Sequence, residues 1–244
     1  METMLKFILF FILSTNCHAS EELDRFLDKL DRTHRSDSSY STMIMTIKTP
    51  DWERTLEMQA WTKGLELFFV TILSPKKEKG ISSLKKNKEM WNYFPKVNKI
   101  IKVPPSMMMG SWMGSDFTND DLVKENTLRE DYHSRFLSKK SDLYEIELIP
   151  KKETPTVWGK ILLKADPVKS IPIEEIFYNE RGEVVRTLKF ENVKKISGRF
   201  VPMKMILEPV TKKGHMTVVE YLDLNLDAKV EDSVFTIGNL QKRR

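Results

Sequence analysis

Residues 40–73 read YSTMIMTIKTPDWERTLEMQAWTKGLELFFVTIL. Apolar side chains recur at every second position, as in Met43 and Met45, and this is the period of a β-strand. Short polar links at residues 50–51 and 63–64 separate the alternating runs. Parallel neighbours need a crossover of a dozen residues or more, so links this short predict antiparallel strands.

The same period continues along the rest of the chain and predicts about ten short strands, the last at residues 233–236. One helix precedes them, with apolar residues at steps of three and four: Leu23, Phe26, Leu27 and Leu30. Several strands are apolar on both faces, so both faces must be covered. We therefore expect a mainly β fold, in which a curved antiparallel sheet surrounds an apolar cavity under a helical lid. A solid β-sandwich is the alternative.

Composition excludes several classes of protein. The 244 residues are 40% hydrophobic and 31% charged, with 9 Gly and 11 Pro, which is ordinary for a globular domain. A disordered, collagen-like or multi-span membrane chain would have a different composition. One Cys allows no intrachain disulfide, and four His limit metal and acid–base chemistry. The net charge of +5 is too small to identify a partner.

Residues 1–19 have the three-part pattern of a secretory signal peptide. Lys6 precedes an apolar run that is too short to span a bilayer, and Cys17 and Ala19 supply small residues for cleavage. A retained anchor is the alternative, and lipidation at Cys17 is disfavoured because no Leu lies three residues before it. One exported domain, residues 20–244, would follow. It contains no Cys, which fits a bacterial periplasm better than an extracellular space where disulfides are common.

One segment, residues 91–122, differs from ordinary strand or loop sequence. It reads WNYFPKVNKIIKVPPSMMMGSWMGSDFTNDDL, and four Met and a Trp fall within seven of its residues without helix or strand period. Met adapts its shape to varied apolar partners, which favours a mobile lid. A loop that plugs the core is equally compatible. The residues predicted to form the lid are Met107, Met108, Met109, Trp112 and Met113.

The end of this segment predicts the start of a helix. Thr118 is the expected N-cap, with Asp120 and Asp121 in the first turn, where carboxylates are favoured. Paired Asp residues also suit metal binding or acid–base work, but the alternating oxygen ligands of a calcium loop are missing. Capping is therefore the favoured interpretation.

Two motifs in this segment carry a family resemblance. The first is W-x-Y-x-P, and the second begins G-S-D-F. The residues concerned are Trp91, Tyr93, Pro95, Gly114, Ser115, Asp116, Phe117, Asp120 and Leu122. In combination they resemble the LolA-like family of outer-membrane lipoprotein-sorting proteins, in its less characterised branch. The resemblance implies an unclosed β-barrel of curved antiparallel strands, covered by helices, around an apolar cavity. The best-known members carry the acyl chains of lipoproteins across the periplasm.

No catalytic, cofactor or metal motif is found in the sequence. Residues 110–114 lack the Lys and the Ser or Thr of a nucleotide-binding loop, and their Ser is misplaced for a nucleophile elbow. His34, His133 and His215 are scattered without metal-ligand spacing. We therefore predict no catalytic residue, no cofactor and no metal, and a protein that is not an enzyme. An envelope hydrolase with a carboxylate-only site is the weakest alternative.

These expectations favour a periplasmic carrier that binds acyl chains of lipoproteins or lipids in a hydrophobic cavity and moves them towards the outer membrane. An inner-membrane transporter and an outer-membrane acceptor are the expected partners, and nucleic acid is not. The predicted cavity wall consists of Met43, Met45, Met58, Leu67, Phe69, Trp91, Tyr93, Met203 and Met205. The alternative is a non-catalytic accessory subunit that docks on an RND-type exporter or envelope assembly through the same loop.

Overall fold

The computed structural model describes residues 21–32, 37–123, 127–154 and 156–242, so the predicted signal peptide lies outside the described residues. A helix, α1, covers residues 21–32. The strands that follow are β1 (Ser38–Lys48), β2 (Glu53–Lys63), β3 (Leu67–Ser74), β4 (Ser82–Lys86), β5 (Glu89–Phe94), β6 (Lys99–Lys102), β7 (Tyr132–Lys139), β8 (Tyr144–Pro150), β9 (Lys160–Asp166), β10 (Ile171–Tyr178), β11 (Val184–Ile196), β12 (Arg199–Pro209) and β13 (Met216–Leu226). Two short helices complete the elements, α2 (Asn119–Val123) and α3 (Ile237–Leu240), with 3-10 turns at Pro105–Met107 and Asp232–Phe235.

All thirteen strands belong to one antiparallel sheet, in the order β6-β5-β4-β3-β2-β1-β13-β12-β11-β10-β9-β8-β7. Consecutive strands are neighbours at every step except the one from β6 to β7. β1 pairs with β13 in the middle of the sheet, and β6 and β7 lie at its two edges. A sheet this wide curls, and these two edge strands do not pair with each other. The predicted curved, unclosed barrel is confirmed, with residues 103–131 connecting its two edges.

Two segments cover the inner face of the sheet. Apolar residues of α1 pack on β7 to β10, in a cluster that includes Leu27, Ile146, Leu163 and Phe177. The connection between the edges packs on β1, β2, β3 and β13, where Trp112 is among the buried residues. Both covers bury apolar surface at about 25 cal/mol per Å², and this burial holds them against the sheet.

The C-terminal residues cover part of the outer face. Phe235 and Leu240 pack against Phe69 and Leu84 of β3 and β4. The prediction that apolar residues on both faces are covered is therefore correct here. The predicted strand at residues 233–236 is wrong, because Asp232–Phe235 forms a 3-10 turn and Thr236 caps α3 through the amide of Asn239.

The sheet has thirteen strands where the sequence predicts about ten, and β7 is a strand that the sequence did not predict. Its inward residues alternate with exposed ones, and it pairs on one side alone, with β8. An edge strand of this kind has few buried apolar residues, so its sequence shows only a weak alternating pattern. Within the described part of the chain, no helix is both long enough and apolar enough to cross a bilayer.

Candidate functional site

Trp112 anchors the central part of the connection between the sheet edges. We call this part, residues 107–123, the lid. Its side chain is 5% exposed and packs among residues of the inner face. The indole Nε1 donates to Ser83 Oγ at 3.2 Å, and Ser83 in turn donates to Asn92 Oδ1 at 2.6 Å. The amide of Trp112 donates to the carbonyl of Phe117 at 2.8 Å, which closes the lid into a turn. The lid is therefore seated by both packing and a hydrogen-bonded chain.

The G-S-D-F motif attaches this turn to the sheet. The Asp116 amide donates to Thr217 Oγ1 at 3.0 Å, and that hydroxyl donates to Asp116 Oδ2 at 2.8 Å. Gly114 has a φ of +74°, and a Cβ there would lie 2.8 Å from Nη2 of Arg54. That Nη2 also donates to the carbonyl of Met113. Gly114 thus lets the lid backbone approach Arg54 closely, and Asp116 binds the lid to the sheet.

The predicted helix start is confirmed, with a capping box. The Asp121 amide donates to Thr118 Oγ1 at 3.1 Å, and the Thr118 amide donates to Asp121 Oδ2 at 2.8 Å. Asp121 also forms a bidentate ion pair with Arg186 of β11, with both N–O distances 2.7 Å. Asp120 is the residue assigned to the family motif, and its neighbour Asp121 makes this ion pair with the sheet.

The Asp121 carboxyl remains ionised in this environment. Burial by itself would raise its pKa. The hydrogen bonds and charge of Arg186, together with the bonds from Thr118, outweigh burial and hold the pKa of Asp121 below its ordinary value.

The five predicted lid residues divide into two groups. Met108 and Met113 pack, like Trp112, against the buried cluster on the inner face. Met107 and Met109 point outward and are 60% and 48% exposed. The methionines thus cover apolar surface beneath the lid and also present apolar side chains on its exterior.

Five of the nine residues predicted for the cavity wall lie on the inner face. Met43, Met45 and Met58 are buried with Trp112, and Met205 packs against the same cluster. Met203 is buried and, two positions earlier on β12, shares the face of Met205. None of these residues lines the cavity described below, because the lid fills the space above them.

The other four residues predicted for the wall require correction. Leu67, Phe69, Trp91 and Tyr93 pack on the outer face with Phe235 and Leu240. Successive strand residues point to opposite faces, and the inward residues of β3 are Val70 and Ile72. Both faces of β3 are apolar, so the pattern did not distinguish the inner face from the one that the C-terminal residues cover.

An apolar cavity of about 350 Å³ remains on the inner face between α1, the lid and strands β9 to β11. We call it the inner cavity. Leu30 comes from α1, and Phe117 and Leu122 come from the lid. The remaining lining residues are Asp31, Asp121, Leu128, Tyr132, Trp158, Ile161, Leu163, Pro172, Glu175, Phe177, Arg186, Leu188 and Phe190.

A β-bulge in β10 determines which side chains enter this cavity. Pro172 pairs with Ala165 and Glu174 with Lys164, so Ile173 is an extra residue in β10. One extra residue exchanges the faces of everything beyond it. Glu175 and Phe177 therefore point inward, while Glu174 lies on the outer face, 2.8 Å from Lys164.

Arg186 is held on three sides at the wall of the cavity. Its guanidinium carbon lies 4.4 Å from the ring centres of both Trp158 and Phe177. Its two terminal nitrogens bind the carboxylate of Asp121. The cation is thus neutralised and stacked on aromatic rings, as guanidinium groups favour.

Solved structures of other proteins share this architecture. A DUF1329 family protein from Desulfovibrio piger is 20% identical, with a TM-score of 0.83, and the match covers 91% of this chain and 99% of that chain. A putative outer membrane lipoprotein-sorting protein domain from Vibrio parahaemolyticus is also 20% identical, with a TM-score of 0.75, over 88% of this chain and 98% of that one. At this identity the similarity shows the fold.

A LolA superfamily protein from Nitrosomonas europaea is 27% identical, with a TM-score of 0.72, over 88% of this chain and 97% of that chain. A family model described as an uncharacterized protein matches residues 64–242. The chain belongs to this LolA-like family. The resemblance predicted from the two motifs is therefore confirmed. A search of curated proteins finds no match.

Within the inner cavity of this LolA-like chain, Glu175 stands out by its surroundings. Its cross-strand neighbours are Leu163 on β9 and Leu188 on β11, and both line the cavity. Burial in this apolar row raises the pKa of Glu175 to about 7; the positive charge of Arg186 opposes this effect, and the negative charges of Asp31 and Asp121 add to it.

The raised pKa predicts how Glu175 affects stability. The folded protein holds this proton more tightly than the unfolded chain, so its stability falls as the pH rises from about 4.5 through 7. We expect Glu175→Gln to remove this fall. The free energy of unfolding of the variant relative to wild type should increase by about 3 kcal/mol between pH 4.5 and pH 8, measured by urea denaturation. Glu174→Gln, on the outer face, is the control, and an equal response of both variants would contradict the prediction.

Two larger pockets lie outside the inner cavity of the LolA-like fold. One, of about 460 Å³, runs along the lid beside Arg54, Met107 and Met113. The other, of about 640 Å³, is lined by apolar residues such as Val103 and Met108 and by charged residues such as Lys88 and Glu89. Neither lies between the two covers of the inner face, so the inner cavity is the better candidate site. Among the described residues, no group of three or more His, Cys, Asp or Glu could hold a metal ion.

Proposed function

We propose that this protein is a carrier that binds an acyl chain of a lipid or lipoprotein in the inner cavity. The observation that supports this most directly is the apolar space between α1 and the lid, about 350 Å³ in volume, on the inner face of a LolA-like sheet. Binding of this kind needs no catalytic group. Release requires only that one of the two covers moves.

The size and lining of the cavity suit this role. Pockets for small ligands are typically about 300–1,000 Å³ and mostly apolar. Each methylene group that leaves water contributes about 0.8 kcal/mol, so a chain of several methylenes supplies substantial binding energy. The side chains available for such contacts include Leu30, Phe117, Leu122, Leu188 and Phe190.

The lid offers a way to enlarge the site. Beneath it lie Met43, Met45, Met58 and Met205, which pack against Trp112. In our proposal, movement of the lid exposes this methionine surface and extends the inner cavity for longer or multiple chains. Methionine suits such a surface because its flexible, polarizable side chain repacks around varied partners.

The predicted signal at residues 1–19 supports action in the periplasm. There, an inner-membrane transporter would deliver the cargo and an outer-membrane acceptor would receive it. A second candidate, an accessory subunit that docks on an exporter, draws support from the exposed Met107 and Met109 on the lid. The two roles share the lid and differ in whether the cavity is filled.

A cavity-filling variant tests the carrier role. Leu188 is half-buried and lines the cavity, so Leu188→Trp should occupy the space that the ligand needs. We expect wild-type protein to bind a fluorescent fatty acid, and the variant to bind it at least about tenfold more weakly, as measured by fluorescence titration. Thr187→Trp, on the opposite face of β11, is the matched control.

Lipid retained during gentle purification, detected by native mass spectrometry, would add independent support. Equal binding of the probe by wild type and Leu188→Trp would show that the binding site is not the inner cavity. Delipidated wild-type protein that binds no alkyl probe would overturn the carrier proposal.

A further inference from the structure

One carboxyl group in the inner cavity has no hydrogen-bond or ion-pair partner among the described residues. Among the described residues that line it, Asp121 pairs with Arg186, and Asp31 Oδ2 accepts from the amide of Leu128 at 2.9 Å. Glu175 makes no hydrogen bond or ion pair with any described residue. Glu175 is half-buried, so its carboxylate is accessible from the open space of the cavity. This places an unused hydrogen-bond acceptor in a cavity that is otherwise largely apolar.

The neighbouring cation already has a counter-charge, and its remaining donor, Nε, is buried without a hydrogen-bond partner in the described part of the chain, so a ligand in the cavity does not reach it. Both terminal nitrogens of Arg186 are taken by Asp121, and aromatic rings of Trp158 and Phe177 flank its guanidinium. The charged groups that face Glu175 are Asp31 from α1, Asp121 from α2 and Arg186 from β11, together with the titratable Tyr132 from β7. The negative charges of Asp31 and Asp121 both raise the pKa of Glu175, and they disfavour a further anion beside it.

We infer that Glu175 accepts a hydrogen bond from the polar end of the bound lipid chain, so that the cavity selects chains whose polar end is a hydrogen-bond donor over chains that end in a free carboxylate. An amine, a hydroxyl and an amide are such donors. This inference rests on the proposed carrier function and specifies the class of ligand. An ammonium group gains a charge-assisted bond, whereas a carboxylate meets repulsion and no donor from Glu175 once that residue is ionised.

The position of Glu175 supports a role in ligand selection over a role in stability. Its flanking neighbours on the adjacent strands, Leu163 and Leu188, offer it no hydrogen bond. The bulge at Ile173 directs it inward, and β-bulges commonly re-aim side chains next to functional sites. With regular pairing from Pro172 onward, Glu174 would take the inward position instead.

Three probes with the same twelve-carbon chain isolate the effect of the polar end. We would measure displacement of a fluorescent alkyl probe from delipidated full-length protein by dodecylamine, dodecanol and dodecanoic acid at pH 8. The expected result is that wild type binds the amine at least about tenfold more tightly than the acid. In Glu175→Gln this ratio should shrink to about threefold or less. Glu174→Gln, which alters a neighbouring carboxylate on the outer face, should keep the wild-type ratio.

A second measurement varies the charge of Glu175 in the wild-type protein. Its pKa of about 7 means that it is ionised at pH 8 and mostly protonated at pH 5.5. The amine keeps its charge across this range and the alcohol has none. The preference for dodecylamine over dodecanol should therefore fall severalfold on acidification in wild type, and stay constant in Glu175→Gln.

The outcomes separate this inference from the carrier proposal. If no twelve-carbon probe binds, the carrier function itself fails. If all three bind equally and Glu175→Gln changes nothing, the cavity is a carrier site and the role of Glu175 is refuted. Tighter binding of dodecanoic acid than of dodecylamine would likewise overturn the inference.

Discussion

Replacing Asp121 by alanine is expected to lower the free energy of unfolding by about 3–5 kcal/mol. The substitution removes both carboxylate oxygens from the guanidinium of Arg186, whose side chain is 8% exposed. A buried cation then has no counter-charge, and the amide of Thr118 loses its acceptor at the start of α2. Urea denaturation at neutral pH measures the effect.

A double variant distinguishes the cost of an unpaired charge from the loss of a favourable bond. Asp121→Ala combined with Arg186→Leu removes both charges, so we expect it to be more stable than Asp121→Ala alone. Asp28→Ala is the matched control, because the Asp28–Arg129 pair is exposed at 39% and 50% and should be worth at most about 1 kcal/mol. A loss below about 1 kcal/mol in Asp121→Ala would contradict this account of the pair.

Truncating Trp112 to alanine is the second large effect. The indole is buried beneath the lid, so its loss leaves a cavity in the buried cluster that includes Met58 and Met90, and should cost about 3–5 kcal/mol. The hydrogen bond from Nε1 to Ser83 is lost as well. Thermal or urea unfolding, monitored by circular dichroism, measures the destabilisation.

Two further variants divide this effect into its parts. Trp112→Phe keeps most of the packing and loses the hydrogen bond, so it should cost much less than Trp112→Ala. Met109→Ala, on the exposed side of the lid, should change stability by less than about 0.5 kcal/mol. If Trp112→Ala were as mild as Met109→Ala, the lid would not be held to the sheet by its indole.

Trp112 and Asp121 attach the lid to the sheet at two points. Trp112 seats the lid over β1, β2 and β3, while Asp121 fastens it to β11 beside the inner cavity. In the proposed carrier, weakening either attachment favours the open arrangement. A partner that competes for the lid would have the same effect, which gives a route from docking to release of the cargo.

Much of the fold follows from local chemistry. The alternation around Met43 and Met45, with short links, leads to antiparallel strands because side chains on a strand alternate between faces. The cap at Thr118 was predictable because its hydroxyl and the carboxylate three residues later satisfy each other's amides. The LolA-like motifs also pointed to the correct family.

The candidate site was harder to place. The nine residues predicted for its wall include none that lines the inner cavity. Both faces of β3 are apolar, so Phe69 and Val70 looked equivalent, although Phe69 packs against the C-terminal residues and Val70 packs beneath the lid. The location of the empty space depends on where two distant segments, α1 and the lid, settle on the sheet.

The sequence by itself determined the antiparallel strands, the helix that precedes them, the capped start of α2 and the family. These features depend on residues that are close together in the chain. Only the tertiary structure decided that the lid fills one half of the inner face, and that the cavity remains in the other half. It also decided that Glu175 rather than Glu174 points inward. One extra residue in β10 reverses which side chains face the cavity, and the pairing with β9, not the composition of β10, determines where that extra residue lies.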